Sequence, residues 1–335
     1  MKARSVTALL FFLLAAALLP AQVAIRVGYF PNVTHAEALV GRANGRFEQA
    51  LGSATKLEWK TFNAGPSGIE ALFAGAVDLL YVGPNPAITG YIRSQGEALR
   101  VVAGGASGGA SLVVRKGANI RNVEDFRGKK VASPQLGNTQ DVALRAWLLQ
   151  NHLKSTDKGG DVQIVPLANP DQLTLFQKGQ LDASWAPEPW AARLIQEADG
   201  QIFLDERSLW PDHRFAVTEV VVRTAFLREH PDLVKKWLSV HVELANWINK
   251  NPGEAKAIVN RQIQSDTGRA LPSRVLDEAF SRLEITYDPI RSSLTVVAER
   301  AYQAGFLKQR PDLSRLYSFE LLNQVLREKN LPNVE

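Results

Sequence analysis

The sequence predicts an α/β protein built as two similar lobes joined by two extended crossings. Three observations predict it. Short β-rich runs alternate with helical stretches through the first two thirds of the chain. The order of those elements returns about 105 residues later. A chain of 335 residues also exceeds the usual size of a single core.

The first element is not part of the fold. Lys2 and Arg4 precede an apolar run from Ala8 to Leu19, closed by Pro20-Ala21-Gln22. This is the pattern of a secretory signal peptide over residues 1–21, with an uncleaved anchor as the alternative. The run is shorter than the ~20 residues a spanning helix needs, and no later segment is long and apolar enough to span a membrane. There is no cysteine, which excludes disulfides, thiolate metal sites, a cysteine nucleophile and a lipid anchor on an N-terminal cysteine. An exported, untethered chain points to a bacterial periplasm. The formal charge of +5 falls to about +3 once Lys2 and Arg4 are removed. That tolerates an anionic ligand, and no basic cluster with interleaved aromatics points to nucleic acid.

The first copy of the repeat begins with a strand at residues 25–27 ending at Gly28, then a helical segment over 35–47. Residues 57–62 read as the next strand, with Leu57, Trp59 and Thr61 on one face. Ser67-Gly68-Ile69-Glu70 has the form of a capping box, its helix stopping at Gly75, and 77–82 is the third strand. In the second copy the strand is 130–133, and Asn138 or Thr139 opens a helix through Gln150. A strand over 162–167, a helix from Asn169-Pro170-Asp171 to Gly179 and a strand over 181–185 complete it. Locally, Gly75-Ala76-Val77-Asp78 matches Gly179-Gln180-Leu181-Asp182, and each strand is followed by Pro-x-Pro, at Pro84-Asn85-Pro86 and Pro187-Glu188-Pro189.

Two similar runs, Leu112-Val113-Val114-Arg115 and Val220-Val221-Val222-Arg223, bracket the second copy. Read as the crossings, they make residues 22–114 and 217–335 lobe one and 115–216 lobe two, a hinge that permits closure. Read more plainly, they are buried strands. From Phe226 the pattern is helical, with segments expected over 231–249, 274–283, 294–304 and 316–327, and Trp237 and Trp247 in the core.

Chemistry is sparse. Gly105-Ala106-Ser107-Gly108-Gly109 matches a nucleophile-elbow pattern, but a strand rather than a helix follows it, so it is read as a Gly-rich loop walling a cleft. None of the five histidines shows metal-ligand spacing, and no metal or cofactor is expected. His35 lies after the first strand, at the edge where open α/β sheets bind ligands; a helix start without a ligand role is the alternative. Gly137-Asn138-Thr139-Gln140 joins a strand to a helix and offers an anion pocket, or else a simple N-cap. Trp185 and Glu188 surround a rigid turn that reads as a cleft edge or as packing.

Gly28-Tyr29-Phe30-Pro31, Phe62-Asn63-Ala64-Gly65-Pro66, Val82-Gly83-Pro84-Asn85-Pro86 and Trp185-Ala186-Pro187-Glu188-Pro189 resemble the aliphatic sulfonate-, taurine- and nitrate-binding family. These are periplasmic substrate-binding components of ABC importers, grouped also with thiamine-precursor binding proteins. The resemblance covers the chain from about Val23 onward. It implies a type II periplasmic binding protein whose C-terminal helices return to pack on lobe one. It implies a monomer that delivers a small, anionic ligand to a membrane ABC permease with its cytoplasmic ATPase, and no enzymatic activity. Sulfonates and taurine lead as ligands; nitrate, bicarbonate or a thiamine-precursor pyrimidine are alternatives, with a pyrimidine-precursor synthase on the same fold behind them. Carried over by position, the ligand site comprises Phe30, Asn32, His35, Gly65, Asn85, Ser107, Asn138, Thr139, Gln140, Trp185, Glu188 and Thr218. Asn138-Thr139-Gln140 carries fewer hydroxyls than the sulfonate binders' loop, and no arginine clamp is among these residues.

Overall fold

The computed structural model describes residues 22–335; the expected signal segment lies outside them. No helix among the described residues is long and apolar enough to cross a membrane. The first repeat folds as β1 (Val23–Tyr29), α1 (Ala36–Ala43), α2 (Arg46–Leu51), β2 (Thr55–Thr61), α3 (Gly65–Phe73) and β3 (Leu79–Val82). After it come α4 (Pro84–Arg93), β4 (Leu99–Gly108) and β5 (Ala110–Arg115). The second repeat is β6 (Lys130–Ser133), α5 (Thr139–Gln150), β7 (Gln163–Pro166), α6 (Asn169–Gln177) and β8 (Ala183–Pro187). It leads into α7 (Trp190–Glu197) and β9 (Gly200–Asp205). The chain then forms β10 (Ala216–Arg223), α8 (Thr224–Glu229), α9 (Pro231–Lys250), α10 (Pro252–Thr267) and α11 (Ser273–Ser281). It ends with β11 (Leu283–Ile285), α12 (Arg291–Gln303) and α13 (Glu320–Glu328).

Two sheets result. The first has the order β11-β4-β10-β3-β1-β2 and the second β7-β6-β8-β5-β9. In each, the first strand of a repeat lies between the second and third, all parallel. An antiparallel strand from outside the repeat joins the third: β10 beside β3, and β5 beside β8. The repeated aspartates explain part of this symmetry. Asp78 is fully buried, accepts the Arg26 N–H at 3.0 Å and pairs with Arg223 of β10 at 2.8 Å. Asp182 accepts the Lys130 N–H at 2.9 Å and lies 3.5 Å from Arg115 of β5. Each carboxylate thus ties the first strand of its repeat to the end of the antiparallel neighbour.

The runs ending in Arg115 and Arg223 are therefore interior strands of the two sheets. Residues 110–114, placed above in the first lobe, hydrogen-bond in the second sheet. The chain passes between sheets at Gly108-Gly109, both at positive φ (+75° and +72°), and returns between Asp205 and Ala216. Gly105 to Gly108 belong to β4, so the expected Gly-rich loop is a strand paired with β10 and β11.

Other expectations shift by local chemistry. The helical segment 35–47 divides into a 3-10 turn (Val33–His35), α1 and α2, with the break at Asn44-Gly45. Pro66 sits in the first turn of α3, so the helix starts before Ser67 and no capping box forms. Ser67 Oγ donates to the Ala64 carbonyl at 2.8 Å instead, and Glu70 meets Arg93. The last helix begins at Glu320, because Leu316 and Ser318 bond to both sides of Val101 in β4. α10 and β11 have no counterpart in the sequence reading.

The C-terminal helices pack on the first sheet. α9 and α10 lie against α1, and Trp237, fully buried, stacks on Phe47 with ring centres 3.6 Å apart. Trp247 is half-buried against the same core.

Candidate functional site

The edges of the two sheets meet at a seam lined by the loop after β1 and the starts of α4 and α5. Six expected residues, Phe30, Asn32, His35, Asn138, Thr139 and Gln140, line one enclosed cavity there of about 20 Å3. Sequence reasoning missed Asn63, Gly83, Asn169, Pro187 and Val217 in the same lining. Asn85 and Thr139 line a second cavity of about 10 Å3, so Thr139 is the residue common to both. Each is about the size of one water molecule.

His35 is buried, and its Nδ1 accepts the Phe30 N–H at 3.3 Å. The ring proton is thereby assigned to Nε2. Burial pushes its pKa down to about 3, so it is a neutral donor at pH 7. Phe30 stacks on it at 4.5 Å.

The start of α5 is not closed by its own cap. Asn138 occupies the N-cap position, but its side chain makes no capping bond. Its Oδ1 accepts the Gly65 N–H at 3.3 Å and its Nδ2 donates to Gln140 Oε1 at 3.1 Å. The first bond crosses the seam and places Gly65 at the site. The free N–H groups of a helix start carry partial positive charge. Thr139 Oγ1 and Asn85 Nδ2 have no partner, although their residues are only 4% and 2% exposed. Such groups cost stability unless something pairs with them. Gly83 must be glycine here: a Cβ would lie 2.2 Å from Thr139 Oγ1.

Four expected residues are placed elsewhere. Trp185 is fully buried in the core of the second lobe and donates Nε1–H to Glu206 at 2.8 Å. Its ring packs against Trp147 of α5 within that core, and Trp190 crosses the seam instead, donating to Asn32 Oδ1 at 2.9 Å. Glu188 is fully buried, accepts the Ala192 N–H at 3.0 Å and pairs with Arg282 at 2.6 Å. Burial raises it to about 6, with Arg282 pulling the other way. Ser107 Oγ accepts the Phe215 N–H at 3.2 Å, fastening the returning chain. Thr218 is buried in β10 with Oγ1 unpartnered, and neither cavity reaches it.

Larger concavities exist, including an open groove of about 940 Å3 under residues 332–335. The enclosed seam is the better candidate because unpartnered buried donors converge on it and both lobes contribute.

Among the described residues no cluster could hold a metal ion. Two α/β lobes meeting at a donor-lined seam are the architecture of the periplasmic-binding-protein fold. The chain belongs to the NMT1-like family, whose model matches residues 19–263. It is 24% identical to a putative aliphatic sulfonates-binding protein of Bacillus subtilis (strain 168), over 91% of this chain and 88% of that one. It is 28% identical to the taurine-binding periplasmic protein of Escherichia coli (strain K12), over 64% of each. Among solved structures, the alkanesulfonate-binding protein SsuA from Xanthomonas axonopodis pv. citri, bound to MOPS, superposes with a TM-score of 0.74 at 20% identity, covering 90% of this chain and 99% of that one. The periplasmic nitrate-binding protein NrtA from Synechocystis PCC 6803 superposes with a TM-score of 0.77 at 14% identity, covering 93% and 90%.

Proposed function

We propose that this protein is an exported, non-enzymatic component of an ABC importer that captures a small organic anion, sulfonate-like, between its lobes and hands it to the membrane permease. One observation carries the reading: the seam collects donors. His35 Nε2–H, Asn85 Nδ2, the Thr139 hydroxyl and the start of α5 all lie at the two cavities. An oxyanion satisfies several donors at once. The relatives named for sulfonates and taurine support that ligand class. The small cavity volumes favour a second reading, a compact oxyanion such as nitrate or bicarbonate.

Catalysis finds little support. The chain has no cysteine, and His35 has Nδ1 engaged and stays neutral. The lobes in this reading close about Gly108-Gly109 and the returning segment near Phe215.

A thermal-shift and calorimetric screen of the mature protein with ethanesulfonate, taurine, nitrate, bicarbonate and an aminopyrimidine tests it. Stoichiometric binding of an anion without turnover is expected. Stabilisation by the aminopyrimidine alone would reject the anion reading.

A further inference from the structure

The second cavity at the seam is lined by a cationic side chain, Arg300, that no local sequence pattern marks. Its other lining residues are Asn85, Thr139, Glu206 and Trp210, with Phe215 and short aliphatic side chains around them. Arg300 comes from α12, a C-terminal helix that packs across the seam on α5. Its guanidinium lies over the Trp210 ring, 4.2 Å from the ring centre. Among the described residues it makes no hydrogen bond and no ion pair, unlike the arginines at Asp78, Asp141 and Glu188. Two buried polar atoms beside it, Asn85 Nδ2 and Thr139 Oγ1, also have no partner.

A half-buried guanidinium with no hydrogen-bonding partner is costly, and burial pulls its pKa down while the charge of Glu206 pulls the other way. The Glu206 carboxylate, on the opposite side of the seam, is already used. It accepts the Trp185 indole N–H; burial raises its pKa, while Trp185 and the charge of Arg300 oppose that rise. Donors therefore outnumber acceptors at this end of the seam.

We propose that Arg300 supplies the counter-charge for the bound anion: the anionic head rests on the start of α5 with Thr139, and Arg300 reaches it from α12. This rests on the anion reading above and makes Arg300 the specificity-determining residue of the site. It also assigns a role to the C-terminal helices beyond packing, because α12 brings first-lobe charge to a second-lobe helix start. Glu206 then tunes selectivity by opposing a second negative charge on the ligand.

Calorimetry with ethanesulfonate and its uncharged analogue ethyl methyl sulfone, on the mature protein, tests the proposal. The wild type should bind ethanesulfonate and discriminate against the sulfone. Arg300→Gln should weaken ethanesulfonate about 10- to 100-fold, the range for a hydrogen bond to a charged group. The same variant should leave the weak sulfone binding unchanged, and Arg300→Lys should retain most of the discrimination. Glu206→Gln keeps an acceptor for Trp185 and should bind ethanesulfonate several-fold more tightly. Equal affinity in Arg300→Gln and wild type would overturn the role of Arg300 and leave the anion reading intact. Failure of the wild type to bind ethanesulfonate, taurine, nitrate and bicarbonate would overturn both. Should Arg300→Gln not fold, Glu206→Gln decides: tighter binding supports the proposal, and unchanged or weaker binding rejects it.

Discussion

Two Pro-x-Pro segments follow equivalent strands, and the structure uses them in opposite ways. In the first lobe, Pro84 opens α4 and Asn85 faces the seam with its amide unpartnered. In the second, Pro187 ends β8, Glu188 turns inward to Arg282, and α7 starts only at Trp190. The Glu188 N–H also donates to the Gly109 carbonyl, and the Gly109 N–H to the Arg282 carbonyl, each at 2.8 Å. One segment therefore offers a donor to a ligand, while its counterpart fastens the lobes beside the crossing. A buried polar group with all its partners is structure; one lacking them is a candidate for binding.

The largest effect should come from breaking the fastened side. Arg282→Ala strands a fully buried carboxylate and is expected to cost about 3–5 kcal/mol in urea unfolding. Ligand affinity measured on the folded fraction should change little.

Acid sensitivity separates the two sides next. His35, held neutral by burial with a folded pKa of about 3, contributes stability that is complete above its ordinary 6.5 and is lost as pH falls towards 3. Glu188 runs the other way: its contribution is complete below 4.5 and lost as pH rises through about 6. His35→Asn should therefore be outperformed by wild type most at pH 7, with the gap in urea midpoint narrowing steadily towards pH 4. A gap independent of pH would show that the His35 pKa is the same folded and unfolded.

Gly83 tests how closely the lobes approach. Gly83→Ala should hold α4 off Thr139 and weaken ligand binding by about 1–3 kcal/mol, as overpacking does. Thr139→Ala in the same chain should restore the close approach seen by small-angle scattering, though not the hydroxyl's contribution to affinity.

The smallest stability change belongs to the open side. Asn85→Ala removes an unpaired donor, so stability should stay within about 1 kcal/mol while affinity falls about tenfold. Substantial loss of stability without loss of affinity would make Asn85 structural, like Glu188.

Much of the fold was legible. The strand-helix repeat and its aspartates encode both sheets, because a carboxylate just before the third strand, bonded to the first, leaves a fixed Gly-x-x-Asp spacing. The sheet that a strand joins is not encoded locally, so Leu112–Arg115 read as a crossing when it is interior. The helix-start residues Asn138, Thr139 and Gln140 were found because anion pockets form where strands turn into helices. Trp185 was misplaced since its ring packs beneath α5 against Trp147, a tertiary contact that the local Pro-x-Pro pattern does not encode. Arg300 was illegible: nothing near residue 300 marks a site, and only the packing of α12 across the seam brings it there.

The position of β10 has a consequence for how the chain assembles. All five strands of the second sheet come from one continuous stretch, residues 110–205. The first sheet cannot be completed from its own N-terminal strands, since β10 must enter between β3 and β4. Until residues 216–223 arrive, two largely apolar strands keep unpaired edges. The middle of the chain can therefore fold first, and the N-terminal third waits for a partner more than a hundred residues downstream. That order predicts a slow, chaperone-sensitive phase in refolding, confined to the first lobe.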